Sequence, residues 1–119
     1  MPSLVILMIE AEQPEGLSAR KLVVETAKHN VLTAYSANEG LQLLRRFPNV
    51  DAILVHGALV QNSPDLLSTV REEAPNIPII LAAPFGNMSS PHVNYVVDSH
   101  HPEDLLFMLI NEIQPRSQD

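Results

Sequence analysis

The sequence predicts one α/β domain, a three-layer sandwich in which helices cover both faces of a parallel sheet. Two observations lead to this prediction. The chain has 119 residues, close to the commonest size of a single domain, and 45% of them are hydrophobic, enough for a buried core. Short apolar runs also alternate with amphipathic segments of helical period. Alternating strands and helices form right-handed βαβ units, which bring the strands together in parallel.

Five apolar runs are predicted to be the strands. The first, residues 4–9, is continuously apolar, as expected for a strand that is buried on both faces. The other four are shorter or end in a polar residue, and they cover residues 31–34, 51–56, 77–81 and 95–97.

Two helices are predicted in the first half of the chain. Apolar residues recur at helical spacing from Ala19 to Ala27. A second helix begins after Ser36, because Ser36 and Glu39 have the spacing of a capping box. Pro48 ends this helix.

Two more helices are predicted in the second half. Gly57 is expected to begin a loop, and residues 63–65 (Ser-Pro-Asp) then have the order of a cap, a first-turn proline and an acid. The last helix opens at residues 102–104 (Pro-Glu-Asp) and runs to about Ile113.

Composition and charge exclude several functional classes. Fourteen acidic residues against seven Lys and Arg give a formal net charge of −7, which disfavours nonspecific binding to nucleic acid or to an anionic membrane. The absence of cysteine excludes disulfides, thiolate zinc sites and a cysteine nucleophile. No apolar run approaches the roughly 20 residues of a membrane helix. The composition predicts a cytoplasmic protein.

Chemistry in open parallel sheets lies outside the carboxyl ends of the strands. The turn after the first strand reads Glu-Ala-Glu-Gln-Pro, which offers no glycine-rich phosphate cradle, and the chain has no GxSxG nucleophile motif. These patterns predict no nucleotide or flavin cofactor.

Three segments resemble the receiver domain of two-component response regulators. Residues 51–56 (DAILVH) match the family's third strand, and residues 76–83 (NIPIILAA) match its fourth. Residues 94–98 (NYVVD) and 101–106 (HPEDLL) match the fifth strand and the start of the last helix. The resemblance spans nearly the whole chain and implies the flavodoxin-like receiver fold, with strand order 2-1-3-4-5.

The residues at the family's phosphorylation site differ from the family pattern. His56 stands at the position of the phosphoacceptor aspartate, Ala83 at that of the switch hydroxyl and Asp98 at that of the phosphate-binding lysine. Phosphoryl transfer needs an in-line acceptor and cations around the phosphoryl oxygens. The resemblance with these replacements predicts a degenerate receiver, a pseudo-receiver that is not phosphorylated.

The metal-binding acids and one helix of the family also differ. The two acids that hold Mg²⁺ in the family fall on Ile9 and Glu10, with Glu12 nearby as a substitute. Only fourteen residues, rich in Pro, Gly and Ser, separate Ala83 from Asp98. The family's fourth helix is therefore predicted to be shortened or missing.

The polar residues at this edge of the sheet allow several hypotheses. His56 and Asp98 could form a fixed bridge, although two strand spacings, roughly 9.5 Å, separate their backbones; otherwise both are simply solvated. Asp98, His100 and His101, with His56 and Glu10, could instead bind a transition metal. Convergence of His56, Asp98 and His100 would make the chain a small-ligand or metal sensor. A third alternative is phosphorylation of the His56 imidazole itself.

The last helix carries more apolar residues than one buried face needs. A stripe through Leu105, Leu106, Leu109 and Ile113 would cover the sheet. The surplus residues of the run are predicted to form a partner surface, unless a neighbouring helix or the 84–94 loop covers them; they are Phe107, Met108 and Ile110.

The sequence and the resemblance together predict an atypical bacterial receiver domain at residues 1–114, with a tail at 115–119. The expected function is phosphorylation-independent protein–protein interaction in phosphorelay signalling, with no enzymatic activity and no cofactor. The partner would be a histidine kinase, another signalling protein or a second copy of the chain. Because the chain begins at Met1 and has no output domain, a single-domain regulator, an adaptor or a decoy is expected.

Overall fold

The described residues of the computed structural model form five strands and four helices. The described residues are 4–10, 30–83, 90–98, 101–111 and 113. For residues 102, 106, 107 and 110, the structure describes the backbone alone. The predicted helix at residues 19–27 lies outside the described residues. The strands are β1 (Val5–Ile9), β2 (Asn30–Ala34), β3 (Ala52–His56), β4 (Ile79–Ala83) and β5 (Tyr95–Asp98). The helices are α1 (Ala37–Arg46), α2 (Gly57–Asn62), α3 (Leu66–Glu73) and α4 (Pro102–Asn111).

All five strands pair in parallel, and their order is β2-β1-β3-β4-β5. The predicted order and direction are confirmed. The register aligns Ile9 with Val55, His56 with Ala82, and Ala83 with Asp98. The carboxyl ends of the strands therefore lie along one edge of the sheet.

Each face of the sheet is covered by a hydrophobic cluster. On one face, Leu54 and Ala82 pack with Leu105 and Leu109 of α4. On the other face, Ile53 and Val55 pack with residues of α1 and α3, including Leu44 and Val70. This alternation along β3 follows from the two-residue period of a strand.

Helix α1 begins with the predicted capping box. The Glu39 amide donates a hydrogen bond to Ser36 Oγ at 3.1 Å, and Glu39 Oε1 accepts one from the Tyr35 amide at 3.3 Å. One turn further on, Gly40 lies against the side chain of Ile9 so closely that a Cβ at position 40 would be 2.7 Å from Ile9 Cδ1. This glycine lets α1 lie close against the end of β1.

The predicted loop after β3 is wrong, because Gly57 begins the six-residue helix α2. Ser63 ends α2, with its amide bonded to the Leu59 carbonyl at 2.8 Å, and so does not cap the next helix as predicted. Helix α3 begins at Leu66 instead, and Asp65 makes no side-chain cap.

None of the helices in the described ranges is long and apolar enough to cross a membrane.

The connection from β4 to β5 has no helix at residues 90–94; residues 84–89 lie outside the described ranges. The guanidinium of Arg71 holds this connection against the rest of the molecule. Its Nη2 donates to the His92 carbonyl at 2.8 Å and to Asn94 Oδ1 at 2.5 Å, and its Nη1 donates to the Ile77 carbonyl at 3.0 Å. Asn94 Oδ1 also accepts from the Ile79 amide at 2.9 Å. One side chain thereby joins α3, the start of β4 and the turn before β5.

Candidate functional site

The predicted site residues that the structure describes at the sheet edge lie at the carboxyl ends of four strands, or directly after them. Glu10 follows β1, His56 ends β3, Ala83 ends β4 and Asp98 ends β5. This is the edge at which parallel sheets place their chemistry. The structure thus brings these positions to one side of the molecule, and their individual contacts decide what they can do.

His56 is half-buried, and its imidazole caps helix α2. The Ala58 amide donates a hydrogen bond to His56 Nδ1 at 3.1 Å. In this contact Nδ1 is an acceptor, so it carries no proton, and in the neutral ring the proton lies on Nε2. Because β3 runs directly into α2, the side chain at position 56 occupies the cap.

Ile9 and Glu10 are both fully buried. Ile9 packs into the hydrophobic cluster below α1, where its Cγ1 and Cγ2 would be 2.8 and 2.9 Å from a Cβ at position 40. The Glu10 amide continues the ladder to β2 through the Ala34 carbonyl at 2.8 Å. Glu12 lies outside the described residues, so the predicted acidic pocket stays a prediction.

Asp98 lies next to His101, which the sequence analysis grouped with it at this edge of the sheet. Asp98 Oδ2 is 3.6 Å from His101 Nε2, and His101 Nδ1 is 3.1 Å from Glu103 Oε1. The hydrogen bond with Glu103 raises the pKa of His101, and the charge of Asp98 raises it further. The pKa of Glu103 is lowered, first by a hydrogen bond to its own backbone and then by His101. The i, i+3 spacing of Asp98 and His101 was the available sequence signal.

The strand register does not favour the predicted bridge between His56 and Asp98. In the register, His56 pairs with Ala82, and Ala82 pairs with Val97. His56 comes two residues after Leu54 and so lies on the same face of the sheet, the one that α4 covers. Asp98 comes one residue after Val97, so the strand period directs it to the opposite face. The hydrogen bond described for the imidazole goes instead to the backbone of α2.

Of the three residues whose convergence would indicate a metal sensor, only two, His56 and Asp98, are among the described residues. Among the described residues there is no group of three His, Cys, Asp or Glu side chains that could hold a metal ion. His100, the third predicted ligand, lies outside them. The metal-sensor alternative therefore gains no support from this geometry.

The last helix places part of its predicted stripe in the core. Leu105, Leu109 and Ile113 are buried, and Met108 is half-buried against the same cluster. The side chains of residues 106, 107 and 110 are not among those that the structure describes. The predicted partner surface at Phe107, Met108 and Ile110 thus stays a prediction, with Met108 facing partly inward.

Comparison with known proteins supports the same architecture. No protein-family model and no curated protein matches the chain. Among solved structures, a response regulator receiver domain protein from Clostridium thermocellum matches with a TM-score of 0.77 and 20% identity, over 91% of this chain and 92% of the other. A putative response regulator from Chloroflexus aurantiacus matches with a TM-score of 0.78 and 20% identity, over 92% and 97%.

A further match shows how widely the fold extends. A CheY-like receiver domain protein from Methanospirillum hungatei has a TM-score of 0.71 and 18% identity, over 93% of this chain and 94% of the other. These identities are too low to carry an activity across, but the coverage includes nearly all of each chain. The chain therefore has the fold of response regulator receiver domains.

Proposed function

We propose that this chain is a receiver-like signalling module that acts by protein–protein contact and is not phosphorylated. The observation that carries the proposal is the imidazole of His56 at the end of β3, the position that corresponds to the family's phosphoacceptor, with Nδ1 engaged by the Ala58 amide at 3.1 Å. A receiver nucleophile is a carboxylate that is free to attack. The side chain of His56 is not a carboxylate, and its Nδ1 is engaged as the cap of α2.

The surrounding residues support the same conclusion. Phosphoryl transfer depends on cations that neutralise the equatorial oxygens. Ile9 is apolar and fully buried where the family has a metal ligand, and Ala83 offers no hydroxyl. Asp98 places a carboxylate where the family has a lysine, and a carboxylate would repel a phosphoryl group. Restoring the acceptor alone is therefore insufficient to restore the reaction.

The proposal covers the wider role of the chain. Residues 1–114 would form one non-enzymatic domain in the cytoplasm of a bacterium, in a phosphorelay or a related signalling system. A histidine kinase or another signalling protein would be its partner. Self-association through the last helix is the alternative mode of contact.

The test is intact-mass analysis after incubation with acetyl phosphate and Mg²⁺, with a conventional receiver as the positive control. The wild-type chain and the His56→Asp variant are both expected to remain unmodified, because the variant regains the carboxylate without the cations. Addition of one phosphoryl group to the wild type would refute the proposal. An acid-labile adduct that disappears in His56→Asn would identify the imidazole as the acceptor.

A further inference from the structure

A shallow groove lies at the opposite end of the sheet from the site above, beside the edge strand β2. Its volume is about 350 Å³, and the described residues that line it are the last residue of α1 and the turn that follows (46–50), together with Val5 and Leu32. Phe47 is one of these lining residues, and 42% of it is exposed. Exposed aromatic surface of this kind is typical of contact sites.

Arg46 gives the groove a positive charge, and no carboxylate among the described residues pairs with it. Three Lys or Arg side chains lie in the described part of the chain. Arg45 pairs with Glu73 at 2.8 Å, and Arg71 is bonded to backbone carbonyls and Asn94. Arg46 lies instead over the Phe47 ring, 5.9 Å from its centroid.

The described residues that line the groove include no acidic one. Asp51, which follows the lining segment, is buried and accepts a hydrogen bond from the Val5 amide at 2.6 Å. In a chain with a net charge of −7, the groove is thus a local cationic and apolar site.

The adjacent strand, β2, has one edge that pairs with no other strand among the described residues. The Asn30 amide bonds to the Leu4 carbonyl and the Ala34 carbonyl accepts from the Glu10 amide, so Asn30, Leu32 and Ala34 face β1. Strand geometry then directs the amides and carbonyls of Val31 and Thr33 outward. Within the described ranges β2 pairs with β1 alone, and its sequence NVLTA has neither the charge nor the proline that commonly protects an edge.

We propose that β2 and this groove together bind an extended segment of a partner protein that carries an apolar residue and a neighbouring acid. The segment would add to the sheet through Val31 and Thr33, while its apolar side chain enters the groove and its carboxylate meets Arg46. The inference deepens the proposed function, on which it rests, by giving the chemistry of the partner. A second copy of the chain fits less well, because its β2 has no acid and its groove has the same charge.

The experiment uses a displayed library of random linear peptides, selected against the full chain. Enriched sequences are expected to alternate apolar and polar residues and to contain Asp or Glu beside an apolar position. Their affinity should fall about fivefold or more in Arg46→Glu, because an attraction becomes a repulsion. Arg45→Glu is the matched control: it makes the same change of charge one residue away and should leave the affinity nearly unchanged.

Amide hydrogen exchange locates the bound peptide. Val31 and Thr33 should become protected when the selected peptide binds, whereas Leu32, already bonded to β1, should not change. Thr33→Pro removes one outward donor at an edge position that tolerates proline and should weaken binding. Circular dichroism of each variant verifies that the fold is retained.

Three results would overturn the inference. The library could fail to enrich any sequence, the selected peptides could bind Arg46→Glu as well as wild type, or they could protect amides elsewhere. Protection of Val31 and Thr33 that rises with protein concentration in the absence of peptide would assign the edge to self-association instead. None of these results depends on phosphorylation, so the mass test above can fail or succeed independently.

Discussion

Replacement of Gly40 by alanine is expected to destabilise the protein, although alanine is the better helix former. The new Cβ would lie 2.7, 2.8 and 2.9 Å from Cδ1, Cγ1 and Cγ2 of Ile9. Carbon atoms pack without strain at about 3.5–4.0 Å. Two of the three Ile9 atoms are bonded directly to its Cβ, so rotation of the chain end cannot relieve all three contacts. Either α1 or β1 must shift.

The magnitude follows from two opposing effects. Alanine in place of glycine gains about 1 kcal/mol of helix propensity. An extra methyl group in a packed core costs about 1–3 kcal/mol. Gly40→Ala should therefore lower the free energy of unfolding by about 0–2 kcal/mol.

A double-mutant cycle isolates the contact. Ile9→Ala removes all three contacting atoms and by itself costs about 2–5 kcal/mol. In that background the Gly40 substitution meets none of them and should stabilise the protein by about 1 kcal/mol, the propensity gain alone. The coupling energy between Gly40 and Ile9 is then about 1–3 kcal/mol.

Urea denaturation followed by circular dichroism measures all four proteins. The control is Gln42, an exposed position of the same helix, where the difference between Gly and Ala variants reports propensity without packing. If Gly40→Ala stabilises wild type by as much as it stabilises Ile9→Ala, the close approach of α1 to β1 is refuted.

Three other predictions concern single side chains. His56→Ala should cost about 1 kcal/mol by removing the cap of α2, and His56→Asn, whose amide oxygen can cap, should cost less; equal losses in urea denaturation would contradict this role. Arg71→Ala should cost about 1.5–3 kcal/mol, and Asn94→Ala should lose part of the same network, so additive losses in a cycle would argue against it. The pKa of His101 is raised, chiefly by Glu103, so its stabilisation should be present below the unfolded-state pKa and be lost as pH rises through the folded-state pKa. Proton NMR titration checks this, and a pKa at or below the ordinary value would contradict it.

The architecture could be predicted from sequence because each strand has a strong local signal. The run at residues 4–9 is apolar on both faces, and the capping box at Ser36 specifies where α1 begins. These signals depend on a few neighbouring residues. The strand order required the resemblance to a known family, since no local pattern specifies which strands pair.

The features that the sequence did not predict depend on residues outside the local segment or on unusual capping residues. The start of α2 has no conventional signal, because its cap is a histidine at a strand end and its first residue is glycine. Ser63 has a capping residue type but ends a helix, a difference that depends on the preceding segment. The contact between Ile9 and Gly40 joins residues far apart in the chain, so local pattern could not predict it.

The hydrogen bonds of Arg71 bear on how the molecule opens. They join α3 to the turn that leads into β5, so the carboxyl-terminal part, β5 with α4, is attached by more than its ladder to β4. Detachment of that part as a separate unit would have to break the guanidinium contacts and the β4–β5 ladder together. Without the arginine, exchange of the β5 amides should proceed by partial unfolding from the carboxyl-terminal end. With it, these amides should exchange through an opening closer in free energy to global unfolding.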